Sequence, residues 1–299
     1  MKNVWIYMIG MLFFSFASSA GDVAKFHKKM NPSLTLWYDK PADDWNEALP
    51  VGNGRLGAML YGGIVNETIQ FNEETLWTGQ PHDYAHKGAY HYLDSLRALL
   101  WAGKQEEAHT LGNTYFMSQP FGQQAYQPFG NILLNFPDHA NATHYERVLD
   151  IEKAVSSVLY EVDGVKFKRE IFASLPAQAL VIRLESSQKG ALNFMVGMDS
   201  PHSKFEVSVE GDQIILRGKA NNYHKEAGPD GYPYPESKLI FEARLKVENQ
   251  GGRLLGHETF IEVSNAQNAT LYLVAATGFV NYHDIGANPE ERCRNYLAG

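Results

Sequence analysis

Val158-Leu159-Tyr160-Glu161-Val162-Asp163-Gly164-Val165-Lys166-Phe167-Lys168-Arg169-Glu170-Ile171 is the stretch whose reading decides the fold. Two runs rich in β-branched and aromatic residues, Val158 to Val162 and Val165 to Ile171, flank a lone Asp-Gly pair. Asp-Gly tolerates the positive φ angles of a two-residue hairpin turn, so the segment predicts two antiparallel strands. The same signature recurs downstream. Strands are predicted at Ala179 to Leu184, Leu192 to Met198, Phe205 to Val209, Gln213 to Arg217, Leu239 to Val247, Thr259 to Val263 and Ala269 to Ala275. So many short strands with turn signals between them predict a mainly β protein built as a large antiparallel β-sandwich. Strand order cannot be read from such spacing.

Upstream, Leu34 to Ile69 also reads as strand and turn, with Leu34-Thr35-Leu36-Trp37-Tyr38 alternating and Gly52, Gly54, Gly57, Gly62 and Gly63 marking tight turns. Gly52-Asn53-Gly54-Arg55-Leu56-Gly57 superficially looks like a phosphate loop. It lacks the Lys-Ser/Thr ending and a surrounding βαβ pattern, which argues against nucleotide binding. One short helical insertion interrupts the β pattern. Tyr90, Leu93, Leu96, Leu99, Leu100 and Trp101 fall at spacings of three and four, predicting a helix from Ala89 to Ala102, and a second piece follows Gly103 from Lys104 to Leu111. Asn221 to Ser237 is a polar loop rich in Gly and Pro. Beyond it, Pro289-Glu290-Glu291-Arg292 reads as a helix start, with Tyr296-Leu297 supplying an apolar contact. A helix this short is marginal in water, so it is expected to be loosely held.

Lys2, the apolar run Val4 to Phe16 and the small residues Ala17 to Ala20 have the three-part layout of a cleaved export signal. The run falls short of the ~20 residues that cross a bilayer. Residues 1-20 are therefore expected to be a signal peptide and 21-33 the leader of the mature chain, in an exported, periplasmic or secreted protein with no membrane span after signal removal. About 280 residues remain, enough for one large β domain. Cys293 is the only cysteine, so no intramolecular disulfide staples the chain. A net charge of −8 without a long Lys/Arg run argues against a nucleic-acid partner. Aromatic residues make up 12% of the chain, which could furnish sugar-stacking platforms, although most rings in a β protein fill its core.

Glycoside hydrolysis needs two positioned carboxyl groups, or one with an activated water. Asp43-Asp44 with Glu47, Glu73-Glu74 and Glu106-Glu107 are the acidic clusters. Neighbouring carboxylates point to opposite faces of a strand and diverge by about 100° on a helix, so they read first as solvated acids or turn caps. His82, His86 and His91 lack a well-spaced third ligand, and no metal is expected. Gly-x-Ser-x-Gly is absent, and Cys293 reads as a core contact. No catalytic residue is assigned and no cofactor is implied.

Longer motifs carry more. Leu49-Pro50-Val51-Gly52-Asn53-Gly54-Arg55-Leu56-Gly57-Ala58-Met59, Gln70-Phe71-Asn72-Glu73-Glu74-Thr75-Leu76-Trp77-Thr78-Gly79 and Tyr126-Gln127-Pro128-Phe129-Gly130-Asn131 resemble the N-terminal domain of glycoside hydrolase family 95. So do Leu36-Trp37-Tyr38, Tyr145-Glu146-Arg147-Val148-Leu149-Asp150 and Ala275-Ala276-Thr277-Gly278-Phe279-Val280-Asn281-Tyr282. The resemblance implies a sandwich domain over residues 34-282 and, at 283-299, the start of a linker to a helical barrel absent from this chain. It further implies an α-L-fucosidase that releases terminal fucose from glycans with inversion, some similar enzymes acting on α-L-galactosides. Its acid and water-activating residues lie in the barrel, so none carries over here and the chain alone is expected to be inactive. The implied partners are a fucosylated glycan and, intramolecularly, the barrel.

By the same resemblance Asn53, Gly54, Arg55, Asn72, Glu73 and Glu74 define the fold, with Arg55 pairing to Glu73 or Glu74. Trp77 would stack on a sugar, and Gln127 or Asn131 would point across the domain interface. A core Trp and turn-forming polar residues are the plainer reading of each. Phosphorylases of the maltose or trehalose type also place a sandwich before a barrel, but these motifs look less like theirs. A free-standing carbohydrate-binding β-sandwich module without hydrolase activity remains the alternative.

Overall fold

At Asp163 and Gly164 the backbone takes φ values of 49° and 80°. That is the pair of left-handed conformations a two-residue hairpin turn requires. The flanking strands close on it with Val162 opposite Val165 and Ser156 opposite Ile171. The structure is a computed structural model that describes residues 26–222 and 231–298. The expected signal peptide at residues 1–20, residues 21–25 of the expected leader and residues 223–230 of the polar loop lie outside the described residues.

Sixteen strands are described. In chain order the first eight are β1 (Thr35–Tyr38), β2 (Leu49–Gly52), β3 (Leu56–Leu60), β4 (Asn66–Glu73), β5 (Gly130–Asn135), β6 (Thr143–Asp150), β7 (Val155–Val162) and β8 (Val165–Ser174). There follow β9 (Ala179–Ser186), β10 (Leu192–Asp199), β11 (Lys204–Glu210), β12 (Gln213–Lys219), β13 (Ile240–Gln250), β14 (Arg253–Gly256), β15 (Phe260–Ala266) and β16 (Asn268–Thr277). They form two antiparallel sheets. One has nine strands in the order β1-β6-β7-β8-β9-β16-β13-β12-β11, the other seven in the order β14-β15-β10-β5-β4-β3-β2.

Alternation decides which side chains meet between the sheets. Along β4, Glu67, Ile69, Phe71 and Glu73 are buried while Thr68, Gln70 and Asn72 are partly exposed, and β10 alternates in the same way. Inward residues of both sheets merge into one core that includes Leu60, Ile69, Phe71, Phe129, Phe136, Phe194, Phe241 and Leu273. Period-two side chains leave no other arrangement for a sheet with one covered face. The sandwich class read from the sequence is therefore the observed one, and each strand predicted downstream of Val158 is present, extended by one to three residues at one or both ends, with β13 and β15 starting one residue later than predicted. β5, β6 and β14, for which the sequence carries no strand prediction, complete the two sheets.

The helical insertion is a 3-10 turn (Ala89–Tyr92) leading into α1 (Leu93–Trp101), then α2 (Gln105–Tyr115). Gly103, at φ 72°, reverses the chain between them. The terminal helix α3 (Pro289–Ala298) starts at Asn288, whose side chain accepts from the backbone N–H of Glu290 and Glu291 at 3.0 and 3.4 Å. Contrary to the loose attachment expected from its length, α3 has a packing partner. Cys293 is fully buried against Ala179, Val274 and Ala276 on the outer face of the nine-stranded sheet, with Tyr296 and Leu297 beside them. Glu290 meets Arg217 and Arg244 of β12 and β13 at 3.3 Å each, and Arg292 donates to the carbonyls of Thr277 and Phe279.

Candidate functional site

The antiparallel pairing brings connections of both sheets to one end of the sandwich. Among them are the β2–β3 turn, the long β4–β5 connection that carries α1 and α2, the β6–β7 and β8–β9 turns, the β10–β11 and β12–β13 connections, and the passage from β16 to α3. Gly52 opposite Gly57, Leu56 opposite Glu73, Phe71 opposite Gly130 and Asn131 opposite Asp199 fix the register of this end in one sheet. Ala179 opposite Ser174, Thr277 opposite Phe241 and Lys219 opposite Lys204 fix it in the other. Asn53, Gly54, Arg55, Asn72, Glu73, Glu74, Trp77, Gln127 and Asn131, the motif residues singled out in the sequence, lie at this end.

Asn53 shapes the β2–β3 turn. Its Oδ1 accepts from the N–H of Arg55 and Leu56 at 3.1 and 2.8 Å, and its Nδ2 donates to the Ser174 carbonyl at 2.9 Å. Gly54 takes φ 94° with open space where a Cβ would stand, so backbone conformation alone asks for glycine there. Arg55 then reaches across both sheets. Its Nε donates to Gln178 Oε1 at 2.5 Å, Nη1 to the Ala275 carbonyl at 2.7 Å and Nη2 to the Gln178 carbonyl at 2.9 Å. Glu73 Oε1 lies 3.5 Å from Nη1, and the guanidinium rests 4.5 Å from the Tyr296 ring centroid. Of the two candidate carboxylates, the one that meets Arg55 is Glu73.

Glu73 is buried, and burial raises its carboxyl above the ordinary carboxylate value against the lowering by Thr75 and Arg55. Its Oε2 accepts from the backbone N–H and hydroxyl of Thr75 at 2.9 and 2.6 Å, and the Thr75 hydroxyl meets that of Thr277 at 2.5 Å. Glu74 is exposed on the next residue, and its backbone carbonyl accepts from Trp77 Nε1 at 3.1 Å.

Trp77 and Tyr126 face each other across a short antiparallel bridge, closed by Thr78 N–H to the Ala125 carbonyl and Gln127 N–H to the Leu76 carbonyl, both at 2.9 Å. Their rings lie 5.5 Å apart with planes at 51°, and they are 43% and 42% exposed. The Tyr126 hydroxyl stands beside the Asn72 side chain and is raised by burial; Asn72 Oδ1 also accepts from the Phe129 N–H at 2.9 Å. Gln127 Nε2 donates to the Tyr126 carbonyl, and Asn131 Nδ2 to Asp199 Oδ1 at 2.6 Å. Gln127 is thus bonded to the preceding residue and Asn131 to the neighbouring strand β10.

What this end can do chemically follows from those contacts. It offers a two-ring apolar platform rimmed by polar groups, suited to the apolar face of a neutral sugar. Among the described residues it offers no acid and base on either side of a cleft: Glu73 is enclosed by Thr75 and Arg55, Asp43, Asp44 and Glu47 lie before β2 at the other end, and Glu106 and Glu107 ride on α2. Among the described residues no group of three His, Cys, Asp or Glu could hold a metal ion. His82 and His86 instead bond to the carbonyls of Gln119 and Met117, and His91 packs on Tyr90. A depression of about 300 Å³ does exist, but on the outer face of the seven-stranded sheet around Leu133, Met195, Gly197 and Phe260, away from the aromatic pair.

Sequence reasoning passed over Tyr126, although it adjoins Gln127 in one motif and alternation puts the two on opposite sides. Gln178, Ala275 and Thr277 carry no local signal, because their partners sit 123, 220 and 202 residues away.

Fold and site together define a two-sheet β-sandwich domain that carries an aromatic pair, Trp77 and Tyr126, beside an Arg55–Glu73 contact linking its sheets. The chain belongs to the family described as "Glycosyl hydrolase family 65, N-terminal domain", which matches residues 36–282. It is 36% identical over 283 residues to "Alpha-L-fucosidase 2" of Arabidopsis thaliana, covering 89% of this chain and 33% of that protein. It is 27% identical over 219 residues to "Probable alpha-fucosidase A" of Aspergillus niger, covering 71% of this chain and 26% of that protein. A solved structure titled "Putative kojibiose phosphorylase from human microbiome" aligns over 89% of this chain and 34% of its own at 10% identity and TM-score 0.42. The chain thus spans a third or less of the curated relatives it matches. Those relatives bear out the fucosidase resemblance, while the matched family carries the number 65 in place of 95.

Proposed function

We propose that this chain is the N-terminal scaffold domain of an exported, inverting α-L-fucosidase of the family-95 kind, acting on fucosylated glycans. The acid and the water-activating group belong to a helical barrel elsewhere in the complete polypeptide. The observation that carries the reading is the 36% identity to an α-L-fucosidase three times as long, over nearly the whole of this domain. The chemistry agrees with it. Inversion needs an acid and an activated water on opposite faces of one sugar, and the acidic clusters among the described residues are enclosed or scattered. The domain would then supply a joint through Arg55 and Glu73, and a pocket wall through Trp77 and Tyr126.

The test is to assay the complete polypeptide and residues 21–299 against an aryl α-L-fucoside and 2′-fucosyllactose. Turnover by the complete polypeptide alone is expected, since losing acid and base groups costs roughly 10² to 10⁴ each. Equal turnover by the shorter chain, abolished by Glu73→Gln or Glu74→Gln, would overturn it. Glycan binding by a natural polypeptide without any turnover would instead favour a free-standing binding module. Export is checked by N-terminal sequencing from the native host, which should begin near Gly21; an intact Met1 on the soluble protein refutes it.

A further inference from the structure

The helix pair α1–α2 has no floor. None of the residues of α1 is buried, and α2 buries only Ala108 and Gly112. The two helices hold each other and little else: a Cβ on Gly112 would stand 3.3 Å from the Leu96 side chain, and Tyr92 stacks on Tyr115 at 4.6 Å. Their base is fixed, because Gln119 N–H donates to the Tyr84 carbonyl and the rings of His82 and His86 bond to the Gln119 and Met117 carbonyls. Leu93, Leu96 and Leu100 form one apolar stripe along α1. Leu96 meets α2, yet Leu100, one turn further, is 51% exposed, Trp101 beside it is 83% exposed, and Tyr90 at the base is 71% exposed. Helices of 9 and 11 residues are marginal in water and draw their stability from packing an apolar face on something. Here the sandwich does not provide that surface.

We infer that the hairpin is a docking arm for the helical domain of the complete polypeptide, gripping it through Tyr90, Leu100 and Trp101. This rests on the proposed reading that such a domain exists. Two observations favour it over other occupants. The curated relatives are about three times as long as the stretch matched here, so a covalently attached partner is the nearest large surface. The hairpin also springs from the end of the sandwich at which the chain passes from β16 to α3. A tethered partner acts at an effective concentration of about millimolar, so a few large side chains suffice. A free second copy would need to bury about 800 Å² on each partner. Three side chains burying about 150–250 Å² apiece fall short of that.

Hydroxyl-radical footprinting of the complete polypeptide, as its native host makes it, tests the arm. Trp45, 51% exposed before β2 at the other end, is the internal reference. Trp101 and Tyr90 should be oxidised at least about tenfold more slowly than Trp45, despite their greater exposure in this domain. The double substitution Leu100→Ser/Trp101→Ser should bring Tyr90 up to the Trp45 rate. Oxidation of Trp101 faster than Trp45 overturns the inference, as does protection that fades on dilution, which would mean a second copy, or a natural polypeptide that ends at Gly299. Protection in a polypeptide that cleaves no fucoside keeps the arm and removes the fucosidase reading; an unprotected hairpin in an active fucosidase does the reverse.

Discussion

All three guanidinium nitrogens of Arg55 are engaged, on partners from the β8–β9 turn, β16 and β4. A lysine ammonium cannot reproduce that geometry, since it is a compact point charge rather than a fork. Arg55→Ala should cost about 3–5 kcal/mol, because it strands Glu73 as a buried, unpaired acid. Arg55→Lys should fall between wild type and Arg55→Ala, and pairing Arg55→Ala with Glu73→Gln should recover part of the loss. Denaturant midpoints of the four chains check this. Equal stability of Arg55→Lys and wild type would mean that charge alone holds the joint. The sequence announces Asn53-Gly54-Arg55 as a turn through its glycine and its Asn, and the need for a carboxylate partner through the arginine's charge. It is silent on Gln178 and Ala275, because a contact spanning more than a hundred residues leaves no periodicity to read.

Turns and helices differ in how much of themselves is local. The β7–β8 hairpin was legible because its two φ angles belong to the Asp-Gly pair itself. Gly164 has no heavy atom within 4 Å of where a Cβ would be, so Gly164→Ala isolates the conformational cost, about 1–2 kcal/mol for an L-residue in the left-handed region. A thermal melt unchanged by this substitution would show that the turn relaxes. α3 was legible as a helix from Pro289 and the acidic first turn, but not as a docked one. Its hold depends on Glu242, Arg217 and Arg244, charged residues on the outward face of a sheet that the local pattern reads as solvated. Cys293 reports on that docking. Its thiol donates to the Glu242 carbonyl and is pushed by burial up to about 12. Thiolate is the reactive form, so a thiol reagent should label the native chain roughly a hundredfold or more slowly than the unfolded one, limited by opening of α3. Labelling at the unfolded rate in native buffer would show α3 detached, as its length alone suggested.

For the molecule as a whole, the class of fold followed from strand spacing, whereas the order β10-β5-β4 did not, because β5 enters between strands that precede and follow it by long connections. The same distant pairing hides a buried polar cluster at the end of the sandwich opposite Arg55, whose two titrating members respond to pH in opposite senses. Glu67 accepts from the Gly62 N–H at 2.8 Å and pairs with Arg169 at 3.2 Å. Arg169 also donates to the Ile64 carbonyl and the Tyr160 hydroxyl, and the Tyr160 hydroxyl meets His139 Nδ1 at 2.8 Å. Burial pushes the Glu67 carboxyl from 4.5 up to about 7, over the opposing pull of Arg169. Burial, aided by the Arg169 charge, pushes His139 from 6.5 down to about 4. A carboxyl with a raised folded value binds more protons in the native than in the unfolded state, so its contribution is full below about 4.5 and is lost as pH rises toward about 7. A histidine with a depressed folded value behaves oppositely: its contribution is full above about 6.5 and is lost as pH falls toward about 4. At about 1.4 kcal/mol per pH unit the two slopes are equal and opposed between about 4.5 and 6.5, so the pair leaves stability flat there. Glu67→Gln removes one slope, and the denaturant midpoint of that variant should then climb with pH across this window even if its absolute stability is lower. His139→Phe should do the reverse, falling from about pH 4.5 to about 7. Two variants whose profiles run parallel to that of the wild type would place the pH response of this domain somewhere other than the Glu67–Arg169–Tyr160–His139 cluster.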